Sequence, residues 1–254
     1  MRGAGMAKIK AEAIVFDQGN TLIMDPFQTI LKLGGEEFTE LFESHGIVTD
    51  AKRIAEEWIR ANQKIHYPYI GHFFQEEPIV QDALRGLGVA SDVAPFLGLE
   101  LLRAYRTRFK EVIASDPRTQ QVKETLRELR DKGKRLGVFS NDRIVSLGMT
   151  LRCMHIEAFF EYIETSEAIG MEKPDPRVFE HILDWFQLPP ALVAYVGDDP
   201  VRDIDGAKRK NLKAVLLSAG SKFSNENWRD YHAPTEFTPD AVIRSFAELL
   251  DVFD

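Results

Sequence analysis

Five short apolar runs punctuate this chain: Ala13–Asp17, Arg135–Ser140, Tyr162–Thr165, Leu192–Val196 and Lys213–Leu217. Their apolar stretches are nearly continuous rather than alternating, as expected for strands buried on both faces of a sheet. Between them lie stretches with helical spacing, Gln121–Lys132, Ile144–Met154, Arg177–Phe186 and Pro200–Lys210. In the first of these, Val122, Leu126 and Leu129 recur three to four residues apart with charged residues between them, the mark of one helix face turned to a core. Strands alternating with helices predict an α/β fold, a Rossmann-like parallel sheet flanked by helices and joined by right-handed crossovers. The last apolar stretch, Pro239–Val252, predicts a helix packing back on that sheet.

Residues 25–112 break the alternation. Four helical runs are predicted there: Phe27–His45, Asp50–Lys64, Glu77–Leu87 and Asp92–Lys110. They are interrupted at Gly46, at Tyr67-Pro68-Tyr69 with Gly71, and at Gly88, residues that punctuate helices. The expected organisation is a core of residues 1–24 and 113–254 with an all-helical insertion, residues 25–112. Its hinges are expected near Met24-Asp25-Pro26 and Ala114-Ser115-Asp116-Pro117.

Composition narrows the classes. The chain has 254 residues, 44% hydrophobic and 28% charged, ordinary for a globular protein able to bury a sizeable core. Its formal charge of −8 offers no basic stripe and argues against a nucleic-acid partner. The single cysteine, Cys153, excludes an internal disulfide and suits a reducing cytosol. No stretch approaches the ~20 apolar residues of a membrane helix, and the first residues lack a signal-peptide core. The expectation is a cytoplasmic protein, monomer or homodimer, with no membrane or nucleic-acid partner.

The chemistry concentrates where predicted strands end. Ile14-Val15-Phe16 runs into Asp17-Gln18-Gly19-Asn20-Thr21, placing a carboxylate at the carboxyl edge of a sheet, where open α/β folds bind ligands. A second run ends on Ser140-Asn141. Lys173 stands in a loop, Gly170-Met171-Glu172-Lys173-Pro174, before a helix, and a third run ends on Gly197-Asp198-Asp199 with Asp203 beyond. Singly, each has a bland explanation. Asp17, Ser140-Asn141 and the Asp198-Asp199 pair would serve as helix caps, and Lys173 as a solvated loop charge.

Nucleophile, hydroxyl, lysine and acidic pair in this order resemble the four motifs of the haloacid dehalogenase superfamily, and the insertion is similar to that family's helical type-I cap. The resemblance implies a hydrolase in which Asp17, Ser140 and Lys173 are catalytic. It further implies that Asp17, the Gly19 carbonyl, Asp198 and Asp203 hold Mg²⁺, and that Gly19, Asn20 and Asn141 line the substrate. Carboxylates suit that hard cation, which takes one or two of them and keeps several waters. A carboxylate such as Asp17 can attack phosphorus and form an aspartyl-phosphate. In the insertion, His66-Tyr67-Pro68-Tyr69-Ile70-Gly71-His72 gathers aromatics and histidines, so His66, Tyr67 and His72 are candidate substrate contacts, against a plain packing role for the segment.

One position departs from the pattern. Phosphatases of the superfamily usually carry a second Asp, a general acid and base, two residues after the nucleophile, where this chain has Gly19. The dehalogenase branch also lacks that Asp, but it needs no Mg²⁺ and lacks the acidic fourth motif. Gly197-Asp198-Asp199 with Asp203 therefore favours an Mg²⁺-dependent phosphoric monoester hydrolase acting on a small phosphorylated metabolite. A haloacid or phosphonate hydrolase, and a catalytically weakened binding or regulatory protein, remain alternatives from the sequence alone.

Overall fold

The computed structural model describes residues 8–66, 76–218 and 235–254, with the backbone alone for residues 64–66. The chain divides into two compact units, Met1–Met24 with Asp116–Asp254 and, between them in sequence, Asp25–Ser115.

The first unit is built on a six-stranded, all-parallel sheet. Its strands are β1 (Ala13–Phe16), β2 (Arg135–Ser140), β3 (Tyr162–Thr165), β4 (Val193–Gly197), β5 (Lys213–Leu217) and β6 (Ala241–Ile243). Their order across the sheet is β3-β2-β1-β4-β5-β6. From β1 the chain builds outward on one side through β2 and β3, then returns to β4 on the other side of β1. The order thus reverses at β1, which makes the carboxyl ends of β1 and β4 the crevice where such sheets bind ligands. The registers Phe16 with Val138 and Phe16 with Val196 bring the ends of β1 and β4 within one residue of each other there, and β2 runs two residues further to Ser140.

β1 and β4 are buried along their whole lengths, which explains their continuous apolar sequence. Val15, Phe139, Tyr162, Val193 and Tyr195 pack with Val178, Phe179, Ile182 and Phe186 in one cluster. The latter four lie on the helix Pro176–Phe186, whose N-cap Asp175 accepts a hydrogen bond from the Arg177 amide.

Two expectations for this unit need correction. Pro239–Val252 is not one helix: Ala241–Ile243 is strand β6, followed by a 3₁₀ turn, Phe246–Glu248, and a short helix, Leu249–Val252. Ala241 and Ile243 are buried and Val242 is exposed, an alternation with period two that pairs with β5 in preference to coiling. The helix expected over Pro200–Lys210 is a π-helical segment, Pro200–Asp205, joined to a short α-helix, Gly206–Arg209.

The second unit is helical, with α1 (Phe27–Leu33), α2 (Gly35–Ser44), α3 (Ala51–His66), α4 (Glu76–Gly86) and α5 (Ala94–Ser115). Phe27–His45 was expected as one helix and is two, broken at Gly34. A Cβ at Gly34 would fall 2.6 Å from the Phe38 ring, so the missing side chain is what lets that ring sit over the junction. Phe27, Phe38 and Tyr105 surround Trp58 with ring centroids 5.5–6.5 Å apart. Buried Asp82 accepts from Arg60 and Arg85, each at 3.0 Å. Among the described residues no helix is long and apolar enough to cross a membrane.

Candidate active site

Asp17 is the first residue past β1, and its amide still donates to Val196 O at 2.9 Å. The ladder with β4 therefore extends into the loop and fixes the backbone that carries the carboxylate. Beyond it the chain turns tightly: Gln18 O accepts from the amides of Leu22 and Ile23 at 2.9 and 3.1 Å. Asn20 sits at φ 50°, a left-handed conformation that asparagine tolerates better than most residues. Ser140 ends β2 and is 6% exposed.

Lys173 is the hub. Its ammonium donates to Asp17 Oδ1 and to Asp203 Oδ1, each at 2.7 Å, and the residue is 4% exposed. Burial pushes the Lys173 pKa down, but the charges of Asp17 and Asp203 outweigh it and hold the value well above that of an ordinary lysine. The amine is therefore a fixed positive charge rather than a base. The bland expectation of a solvated loop lysine does not hold.

Asn141 grips the same residue by its main chain. Its Nδ2 donates to Lys173 O and its Oδ1 accepts from the Lys173 amide, both at 2.9 Å. The carboxamide expected to face substrate is thus paired with the lysine loop. Nor do Ser140 and Asn141 cap a helix: the next one, Ile144–Cys153, has Arg143 at its N-cap position with no side-chain cap bond.

Asp198, Asp199 and Asp203 divide their work. Asp199 caps the π-helical segment, accepting from the amides of Val201 and Arg202 at 2.9 and 2.8 Å, which is the capping role anticipated for this pair. Asp203, 1% exposed, accepts from the Asp199 amide at 3.0 Å through Oδ2 while Oδ1 holds Lys173. Burial raises its pKa to about 7, against the pull of Lys173. Burial, followed by the like charges of Asp17, Asp203 and Asp199, pushes Asp198 well above the usual carboxylate range.

Asp17, Asp198 and Asp203 each offer a carboxylate oxygen, all within 4.8 Å of one another. Three hard anionic donors packed together, with one lysine to offset them, fit a divalent cation such as Mg²⁺ in donor type. Asp203 has both oxygens engaged already, so Asp17 and Asp198 are the better placed to meet an ion.

Comparison with known proteins gives the family. The family described as haloacid dehalogenase-like hydrolase matches residues 73–217. The chain belongs to the haloacid dehalogenase-like hydrolases. It is 31% identical over 215 residues to haloacid dehalogenase-like hydrolase domain-containing protein 3 of Bos taurus, covering 78% of this chain and 81% of that protein. It is 34% identical over 128 residues to a glyceraldehyde 3-phosphate phosphatase of Methanopyrus kandleri, covering 50% and 53% of the two chains. The HAD-hydrolase YfnB of Bacillus subtilis, solved bound to magnesium, shares the fold with a TM-score of 0.68 at 21% identity over 96% of this chain and 99% of that one. The expected hydrolase with a Rossmann-like sheet is thereby established.

For the remaining sequence candidates, Gly19 and Asn20 are half-buried in the turn after Asp17. Tyr67, His72 and the side chain of His66 lie outside the described residues. Two roles escaped the sequence reading. One is that of Gly197, read there only as part of the acidic motif, where a Cβ would fall 2.1 Å from Asp203 Oδ2. The other is that of Tyr195, whose ring centroid lies 5.1 Å from Lys173 Nζ. Both residues sit on a strand buried throughout, where no periodicity separates a packing residue from one that touches the site.

Proposed function

We propose that this hydrolase is an Mg²⁺-dependent phosphatase that forms an aspartyl-phosphate at Asp17 on a small phosphorylated metabolite. The observation that carries the reading is the Lys173 ammonium bridging Asp17 and Asp203 beside Asp198, at the edge where the strand order reverses. Phosphoryl transfer is dominated by positioning and charge stabilisation, and this cluster supplies both. The phosphatase names among the chain's relatives support the same substrate class.

In this reading an Asp17 oxygen attacks phosphorus in line, forming the aspartyl O–P bond as the ester P–O bond breaks. The leaving oxygen departs with the electron pair and takes a proton from solvent or from a group other than residue 19. Lys173 holds the Asp17 carboxylate in place and offsets the equatorial phosphoryl charge. Ser140 donates to a phosphoryl oxygen. Water then attacks phosphorus, the bond to Asp17 breaks, and inorganic phosphate leaves. Asp17 and Asp198, with the Gly19 carbonyl, would hold the Mg²⁺, which supplies further positive charge against the phosphoryl oxygens. Asp203 orients Lys173 and the acidic group.

Residues 25–112 act as the helical cap of this family, with His66, Tyr67 and His72 as substrate contacts. The protein works in the cytoplasm, as a monomer or homodimer, on a small phosphate ester. The deciding experiment is turnover of p-nitrophenyl phosphate with and without Mg²⁺, beside a 2-haloacid and a phosphonate. Mg²⁺-dependent release of phosphate alone is expected. Metal-independent halide release, or phosphonate cleavage without esterase activity, would overturn the reading.

A further inference from the structure

Tyr195 stands on β4 three residues before Asp198 and is fully buried. Its ring centroid is 5.1 Å from Lys173 Nζ, within the ~6 Å reach of a cation–π contact. Its hydroxyl donates to Phe139 O at 3.0 Å. Phe139 immediately precedes Ser140 on β2, and β1 lies between β2 and β4. One side chain therefore reaches from the strand that leads to Asp198, past the strand that delivers Asp17, to the end of the strand that carries Ser140. The last pair of the β1–β2 ladder is Phe16 with Val138, so the Phe139 carbonyl lies beyond that ladder, and the Tyr195 hydroxyl satisfies it. Phe179 meets the ring edge-on at 5.3 Å and fixes its orientation.

We infer that Tyr195 is a positioning residue of the site, its ring holding the Lys173 ammonium against Asp17 and its hydroxyl fixing the end of β2 that presents Ser140. The inference rests on the phosphatase reading. A lysine is a point charge on a flexible four-carbon stem, and Tyr195 packs against it beside its two hydrogen bonds to carboxylates. An aromatic face attracts the ammonium without adding another negative charge to a site already crowded with carboxylates. An aliphatic residue could be buried at this strand position but would do neither task.

The test compares Tyr195→Phe, which keeps the ring and loses the hydroxyl, with Tyr195→Leu, which loses both. Kinetics on p-nitrophenyl phosphate with saturating Mg²⁺ are read beside the melting temperature and the proton resonance of the Lys173 ammonium, resolved through nitrogen-15. Tyr195→Phe is expected to lower kcat about fivefold, the scale of one neutral hydrogen bond. Tyr195→Leu is expected to lower it about 30-fold or more, the scale of a desolvated cation–π contact. KM and the half-saturating Mg²⁺ concentration stay nearly constant in both. The ammonium protons, shielded by the ring in wild type and in Tyr195→Phe, shift downfield in Tyr195→Leu.

A wild-type kcat in folded Tyr195→Leu overturns the inference, as does an unchanged ammonium resonance. Losses that vanish when rates are corrected for the folded fraction also overturn it, by leaving a packing role alone. If Tyr195→Leu does not fold, Tyr195→Phe decides the hydroxyl's part through its kcat at constant KM. If wild type turns over no phosphate ester, the phosphatase reading fails, while the resonance still tests the contact between Tyr195 and Lys173.

Discussion

Gly197 leaves open the space that the Asp203 carboxylate occupies. A Cβ on residue 197 would lie 2.1 Å from Asp203 Oδ2 and 2.6 Å from its Cβ, closer than real atoms approach. Gly197→Ala must therefore push Asp203 away from Lys173, or shift the strand. The expected result is a stability loss of about 1–3 kcal/mol, typical of an overpacked interior, with kcat lowered at least tenfold. Thermal melts and steady-state kinetics measure both. Wild-type rates in the alanine variant would mean that Asp203 is not needed where it is seen.

Asp17→Asn should remove turnover, by about 10⁴-fold or more, because a carboxamide does not attack phosphorus. The fold should survive, since an amide still accepts a hydrogen bond from Lys173. Circular dichroism and phosphate release check the two halves of that statement. Substantial activity in the asparagine variant would rule out the covalent route.

Mg²⁺ should stabilise the protein without any substrate. Asp17, Asp198 and Asp203 offer oxygens within 4.8 Å of one another, and an ion bound only by the folded chain adds about 2.7 kcal/mol at one hundred times its Kd. The melting temperature should rise with Mg²⁺ in wild type and stay flat in Asp198→Ala, whose activity should recover only in part at high Mg²⁺. A rise of equal size in Asp198→Ala would place the ion elsewhere.

Asn141 separates two roles by kinetics. Its carboxamide holds both main-chain polar groups of Lys173 at 2.9 Å, so Asn141→Ala should act through the lysine. We expect kcat to fall about tenfold with KM little changed, and stability to fall by about 1–3 kcal/mol for each of the two groups left unsatisfied. A raised KM at constant kcat would return Asn141 to the substrate-contact role anticipated from the motif order.

The sequence was most readable where burial is complete. β1 and β4 are packed on both faces, so their apolar runs and the carboxylates ending them stood out, as did the order Asp17, Ser140, Lys173, Asp198. β6 was missed because Ala241-Val242-Ile243 is too short to show its alternation, and only its pairing with β5 makes it a strand. The Gly34 break was hidden because the backbone there stays close to helical, at φ −87° and ψ −1°, and the apolar spacing runs through it. The attachments of Asn141 and Tyr195 were unreadable for another reason. Their hydrogen-bond partners are main-chain atoms 32 and 56 residues away, and a carbonyl carries no side-chain signature.

Gly19 sets the last prediction. With no titratable group at this position, the leaving oxygen must depart with little help from residue 19, and general acid catalysis is typically worth ~10²–10⁴ in rate. Gln18 and Asn20 are no substitute, because carboxamides do not titrate near neutrality. Aryl phosphates, acyl phosphates and sugar-1-phosphates should therefore turn over well, and simple alkyl phosphates poorly. Among the described residues, a Cβ on Gly19 would meet nothing nearer than Asp17 Oδ2, at 4.0 Å, which leaves space for an acid there. Rates plotted against leaving-group pKa across an ester series should slope steeply in wild type. In Gly19→Asp the slope should flatten, with the poorest leaving groups gaining most. A flat wild-type plot would show that the proton comes from another residue or that a step other than ester cleavage limits the rate, and in either case Gly19 would not determine which esters the enzyme accepts.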